Sequence, residues 1–177
     1  FLIGEHARKH PELLRRVLDE GHALGLHSHT HSRWFNCWPS KKVRQDLAAC
    51  ADAVAQATGQ PPPSLFRPPV GLKNPLVADA VRDLGLTAVT WTHRTWDTAR
   101  TDAEKIARAL SDGAQPGAIV LMHDGHEPKR PGARSATVDA LGRVLPMLTQ
   151  RGLRSHALRV LERGIGLEKG LDKKGPT

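Results

Sequence analysis

The chain reads as an α/β protein, with a parallel sheet inside and helices outside. Three observations predict this. Strand-like segments alternate with amphipathic helical segments about six times along the sequence, and such alternation calls for parallel strands joined by helical crossovers. Polar clusters follow the strand-like segments, at His27 to His31, Arg67 to Gly71, Trp91 to Asp97 and His123 to His126. In parallel α/β folds, functional side chains gather at the carboxyl ends of strands, so four such clusters are expected on one rim. The 177 residues, 39% hydrophobic and 25% charged, suffice for one domain with a real core.

The elements follow in order. Phe1 to Ile3 is a short buried strand ended by Gly4. Residues His6 to Glu20 form an amphipathic helix with Leu13, Leu14, Val17 and Leu18 on one face. Pro11 fits only its first turn, so the regular part starts there, and Gly21 stops it. Ala23 to Leu26 is the next strand. Ser40 is placed to cap a helix to about Thr58, with Val43, Leu47, Ala51 and Val54 at helical spacing. Gly59 to Pro63 is a hard break, and Ser64 to Phe66 a strand. Asn74 caps and Pro75 opens a helix to Leu84; Leu86 to Thr90 is again strand. Thr101 and Glu104 have the spacing of a capping box for a helix to about Ser111. Gly117 to Met122 is a strongly apolar strand, and Ser135 to Arg151 a helix. Leu153 to His156 reads as a last strand, followed by a short helix to about Arg163 and a flexible basic tail over 164–177.

Composition narrows the function classes. The net charge is +8 and the pI about 10.1. Lys and Arg are spread along most helices, aromatics are 4% and Tyr is absent, so neither a compact basic stripe nor a stacking platform for nucleic acid is visible. A solvated basic surface is the default, with attraction to anionic cell-wall polymers or membranes as another use. No apolar run approaches the roughly 18 residues of a membrane span. Cys37 and Cys50 form neither a C-x-x-C pair nor a disulfide framework. No leader is visible, and the opening Phe1-Leu2-Ile3 reads as if cut from something longer.

Gly25 to His31 carries the most chemistry. His27, His29 and His31 alternate, and the outer two form H-x-x-x-H, whose side chains can reach one cation. Neutral imidazoles suit zinc or a related borderline metal. On this stretch alone, three loop histidines bonded to backbone or water are as good a reading. Taken singly, His123 is a strand-end histidine satisfied by backbone and Asp97 a turn former, whereas Arg67 is a surface arginine or, somewhat better given the stiff Pro68-Pro69 loop, a placed guanidinium. Trp34, Trp38, Trp91 and Trp96 suit core packing as well as a sugar platform.

Four blocks in order resemble the polysaccharide deacetylase family, the carbohydrate esterases of family 4 with the NodB homology domain. Gly21 to His31 is similar to the family's H-[ST]-x-x-H metal motif, and Phe66-Arg67-Pro68-Pro69-Val70-Gly71 to its R-x-P-x-G loop. Val89 to Thr98 resembles its tryptophan-to-aspartate block, and Gly117 to Asp124 the strand ending in its catalytic histidine. The resemblance covers about Phe1 to Glu162 and implies an incomplete, distorted (β/α) barrel lacking its first strand, with 1–163 as catalytic domain. It implies hydrolysis of N-acetyl groups on an amino-sugar polymer or oligomer. A divalent metal, zinc first with cobalt or nickel as alternatives, would be held by His27 and His31. His123 would be the general acid, Asp97 the carboxylate favouring its imidazolium, and Arg67 the orienter of the base.

The chain departs from the family in two places. The family's paired aspartates, base and third metal ligand, precede the segment that Phe1 to Ile3 resembles, so weak metal binding and little activity are expected of the chain as it stands. Thr92 stands where an acidic residue is frequent, leaving Asp97 as the working carboxylate of that block. His29 is expected to face outward, Leu121 to sit in the strand core and Asp124 to be a turn residue; His22, His93, His126 and His156 are unassigned. A monomer, exported or attached to the cell envelope, completes the expectation. A catalytically inactive carbohydrate-binding relative is the main alternative, and a basic nucleic-acid-binding module a weaker one.

Overall fold

The computed structural model describes residues 1–71, 74–125, 134–161 and 164–167. It forms two compact units: Phe1–Val89 together with the described residues from His156 onward, and Thr90–Ser155.

In the first unit the backbone builds a parallel ladder. Leu2 bridges Leu26, Leu26 bridges Phe66, and β1 (Leu65–Phe66) pairs with β2 (Thr87–Ala88), all parallel. The bonds are short: Leu2 N–H donates to Gly25 at 2.8 Å, His27 N–H to Leu2 at 2.8 Å, Leu26 N–H to Leu65 at 2.7 Å and Arg67 N–H to Leu26 at 2.8 Å. Consequently His27 and Arg67 are the first residues past adjacent strand ends. The helices here are α1 (Gly4–Lys9), α2 (Pro11–Asp19), α3 (Ser40–Thr58) and α4 (Pro75–Asp83). Leu26 and Phe66 from the ladder pack with Ala7, Leu14, Val43, Leu47, Val54 and Val77 from the helices. Each large side chain so buried contributes about 1.5–3 kcal/mol.

Several expected elements are corrected. The helix over His6 to Glu20 is two helices, because Pro11 starts α2 at its first position while α1 already begins at Gly4. The segments Phe1 to Ile3 and Ala23 to Leu26 reduce to one bridging residue each, Leu2 and Leu26. Ser40 does not cap α3: Pro39 is the cap residue, and the Ser40 hydroxyl donates instead to the Leu76 carbonyl at 2.8 Å, tying α3 to α4. Asn74 does cap α4, accepting from Val77 N–H at 2.9 Å.

In the second unit β3 (His93–Arg94) pairs parallel with β4 (Val120–Leu121), and α5 (Ala103–Gly113) packs on α6 (Ser135–Gln150) through Ile106, Ala107, Leu110, Ala140 and Val144. The cap of α5 is Asp102, which accepts from Glu104 N–H at 2.9 Å, and not the expected Thr101. The carboxylate one residue later reaches the first free amides and starts the helix there. Gly113 abuts the His93 ring; a Cβ there would lie 2.1 Å from it.

Neither the strand at Leu153 to His156 nor the following helix forms. The chain instead enters β5 (Leu158–Leu161), antiparallel to β6 (Gly164–Leu167). Leu158-Arg159-Val160 alternates with period two, a strand pattern too short for a stable helix. Gly164–Leu167 is thus strand where a tail was expected; the rest of that tail, 168–177, and His126 lie outside the described residues. No described helix is long and apolar enough to cross a membrane.

Candidate active site

In the first unit, the loop after Leu26 brings His27 and His31 together with ring centroids 4.8 Å apart and planes inclined at 52°. The Nδ1 of His27 lies 2.7 Å from the Arg67 carbonyl oxygen. A carbonyl only accepts, so Nδ1 carries the proton and Nε2 keeps its lone pair. Burial pushes the His27 imidazole down to about 3, so it is neutral near pH 7. A neutral imidazole with one nitrogen anchored to a backbone carbonyl is what a cation requires of a histidine ligand. Among the described residues no group of three or more His, Cys, Asp or Glu is arranged to hold a metal, so these two rings are a partial donor set.

The loop is held in an uncommon shape. Ser28 and His31 both have left-handed backbone, with φ of 64° and 48°. The Ser28 hydroxyl accepts from His31 N–H at 2.9 Å. His29 does not face outward, contrary to expectation. Its ring lies over Gly4, where a Cβ would come within 2.2 Å of Nδ1 and 3.0 Å of the Cys50 backbone. Gly4 N–H and Glu5 N–H donate to the carbonyls of Ser28 and His29, both at 3.0 Å. Only a glycine lets α1 come this close.

In the second unit Asp97 is the hub. It is 2% exposed. Its Oδ1 lies 2.9 Å from His123 Nδ1, and its Oδ2 accepts from His123 N–H at 2.7 Å. Thr95 donates to Oδ1 at 3.2 Å and Thr137, on α6, to Oδ2 at 3.3 Å. Burial raises the Asp97 carboxyl, but the bonds from His123 and Thr95 outweigh it, and the net shift is below the usual carboxylate range. Asp97 is therefore ionised at neutral pH. It fixes the proton on His123 Nδ1 and leaves Nε2 as the working edge of a side chain 31% exposed.

Arg67 stays close to its strand. Its guanidinium lies 3.9 Å from the centre of the Phe1 ring, and Nε donates to the Val89 carbonyl at 3.3 Å. Burial lowers its pKa to about 10, so it remains a cation. The Thr92 hydroxyl is used in strand pairing: it donates to the Ile119 carbonyl at 3.2 Å and accepts from Ile119 N–H at 3.0 Å. Leu121 is buried, as expected of a strand core. Trp34 and Trp96 are 70% and 51% exposed, and the Arg94 guanidinium lies 4.1 Å over the Trp96 ring.

Sequence reasoning missed Thr95 and Thr137 on Asp97, and Asp46 beneath the histidine loop. Asp46 left a signal. It sits on the α3 face shared by Val43, Leu47, Cys50, Ala53, Val54 and Ala57, where a carboxylate is out of place unless something binds it. Thr137, in the first turn of α6, left none.

Residues 1–89 match the polysaccharide deacetylase family. A chitooligosaccharide deacetylase from Bradyrhizobium is 34% identical over 164 residues, covering 89% of this chain and 74% of the relative. Among solved structures, a family 4 carbohydrate esterase from Streptomyces lividans, in complex with acetate, superposes with a TM-score of 0.78 at 28% identity, over 90% of this chain and 77% of that one. A family 4 pseudoenzyme from Bacillus anthracis superposes with a TM-score of 0.74 at 27% identity, over 87% of this chain and 51% of that one.

Proposed function

Because this chain belongs to the polysaccharide deacetylase family, with the incomplete parallel α/β architecture of that family, we propose that it hydrolyses the N-acetyl amide of amino-sugar residues in an oligosaccharide or polysaccharide. The observation that carries the reading is the His27–His31 pair, with His27 Nδ1 committed to the Arg67 carbonyl and Nε2 left for a cation.

Zinc is the first candidate for that cation, with cobalt or nickel as alternatives; bound, it would supply Lewis acidity to the acetyl carbonyl and to the attacking water. His27 and His31 would be two of its ligands. His123 delivers a proton from Nε2 to the departing amine, which leaves poorly as an anion. Asp97 keeps the His123 ring in the right tautomer. Arg67, still cationic, orients a carboxylate that accepts the proton of the water. A chitooligosaccharide is the first substrate to try, since that is what the Bradyrhizobium relative is named for. A monomer working at the cell envelope fits the reading and the net charge of +8.

The test is acetate release from N-acetylated chitooligosaccharides and from peptidoglycan fragments by the protein expressed from its whole reading frame. Zinc-dependent release that a chelator stops and His27→Ala abolishes is expected. No release from any acetylated amino sugar, with zinc present, would refute the proposal. A second reading has support in the likeness to the pseudoenzyme: a non-catalytic sugar binder. It predicts saturable binding of the same oligosaccharides, by calorimetry, with no acetate released.

A further inference from the structure

Asp46 lies 9% exposed on the inner face of α3, yet its carboxylate is surrounded by hydrogen-bond donors from one short loop. His29 N–H reaches Oδ1 at 2.7 Å. Thr30 N–H reaches Oδ2 at 3.3 Å and the Thr30 hydroxyl reaches the same oxygen at 2.9 Å. The donors come from the middle of the loop that runs from His27 to His31. Its left-handed residues, Ser28 and His31, are not glycines, so the backbone shape is disfavoured in isolation. Consecutive amides turned inward in this way form a concavity that binds an anion, and here the anion is a side chain of the same protein. The opposite edge of the loop is held by α1, whose first amides, of Gly4 and Glu5, donate to the Ser28 and His29 carbonyls.

From this geometry we infer that Asp46 is a positioning residue for cation binding: it clamps the amide edge of the loop and so sets His31 beside His27 before any metal arrives. Its carboxylate holds the His29 and Thr30 amides and the Thr30 hydroxyl, and it acts through the loop backbone. A ligand pair preset in this way binds without first ordering the loop, and groups that orient ligands commonly change metal affinity roughly 10–100-fold when removed. The inference rests on the proposed cation site, and its test separates the two.

Zinc affinity is measured on the full chain by competition with a chromogenic chelator, and amide hydrogen exchange is followed in the metal-free protein. In Asp46→Asn, one carboxylate oxygen becomes an NH2 group facing donors. The expected result is zinc affinity lowered roughly 10–100-fold, with faster exchange at His29 and Thr30 but unchanged exchange in the second half of α3. Thr30→Val removes a single hydroxyl bond and is expected to lower affinity less. Unaltered zinc affinity in folded Asp46→Asn overturns the inference. If that variant does not fold, Thr30→Val decides, and unaltered affinity and exchange there overturn it. Wild-type protein that binds no zinc defeats the proposed cation site and this inference together, whereas wild-type binding that ignores Asp46 defeats this inference alone.

Discussion

His27 and Asp97 show how burial and hydrogen bonding set protonation in opposite ways. For His27, burial dominates and lowers the imidazole from 6.5 to about 3. The unfolded chain therefore takes up its proton first as pH falls. Stability linked to His27 is complete above about pH 6.5 and is lost progressively as pH drops toward 3. Asp97 works on the same acid limb, lower down. Burial opposes its charge, but the bonds from His123 and Thr95 win and depress its carboxyl. Its contribution is present above the unfolded value of about 3.9 and vanishes as pH falls through the lower folded value. Thermal melts between pH 7 and pH 2 should show a decline beginning near 6.5 that His27→Asn flattens. A later decline, below about pH 4, should persist in that variant and weaken in Asp97→Asn. At the same scale, His123→Ala should cost roughly 100- to 10,000-fold in acetate release, as expected for loss of a general acid, and should also lower the melt near neutral pH, because the buried Asp97 carboxylate loses its bond to the ring.

At the scale of elements, helix starts and close approaches carry the testable content. The cap of α5 is the clearest case. Asp102→Ala should destabilise the protein by about 1 kcal/mol in urea unfolding, and Thr101→Ala by much less. The reverse order would restore the capping box read from Thr101 and Glu104. Gly4 is more demanding. A Cβ there meets the His29 ring and the backbone of α3, and backbone cannot swing aside as a side-chain tip can. Gly4→Ala should cost about 1–3 kcal/mol by overpacking. It should also loosen the histidine loop, seen as faster amide exchange at Ser28 to His31. Strand pairing explains why the cluster residues could be placed from sequence although strand lengths could not. A run such as Ala23 to Leu26 announces a strand by being apolar. How many of its residues bond to a neighbour depends on twist and on the partner; here Leu26 makes the bridges, and the Gly25 carbonyl adds one bond from Leu2 N–H.

For the whole molecule, charge and ligand linkage are the accessible quantities. A cation that binds the folded chain and not the unfolded one stabilises it by mass action, about 2.7 kcal/mol at a hundredfold excess over Kd. Added zinc should therefore raise the melting temperature, and His27→Ala or His31→Ala should abolish the rise. The net charge of +8 is spread over the sequence. Duplex and single-stranded DNA should bind weakly even at low salt, without the steep salt dependence of a protein that neutralises several phosphates at one face.

The residues whose place in the chain fixes their chemistry were legible in the sequence. His27 and Arg67 come directly after apolar strand segments, and His123 follows closely. A strand that ends at a polar residue delivers that residue to its carboxyl end whatever the rest of the fold does. The spacing of His27 and His31 and the order of the four blocks are likewise properties of the chain alone. What only the tertiary structure decided is who holds those residues still. Asp46 is separated from Thr30 by a loop and a helix start, Thr137 from Asp97 by α5 and β4, and Gly4 from His29 by all of α1 and α2. Hydrogen bonds and close packing between such distant positions arise from the path of the backbone in space. Periodicity and spacing describe only neighbours along the chain, so they singled out the histidines of the candidate site and were silent about what holds them.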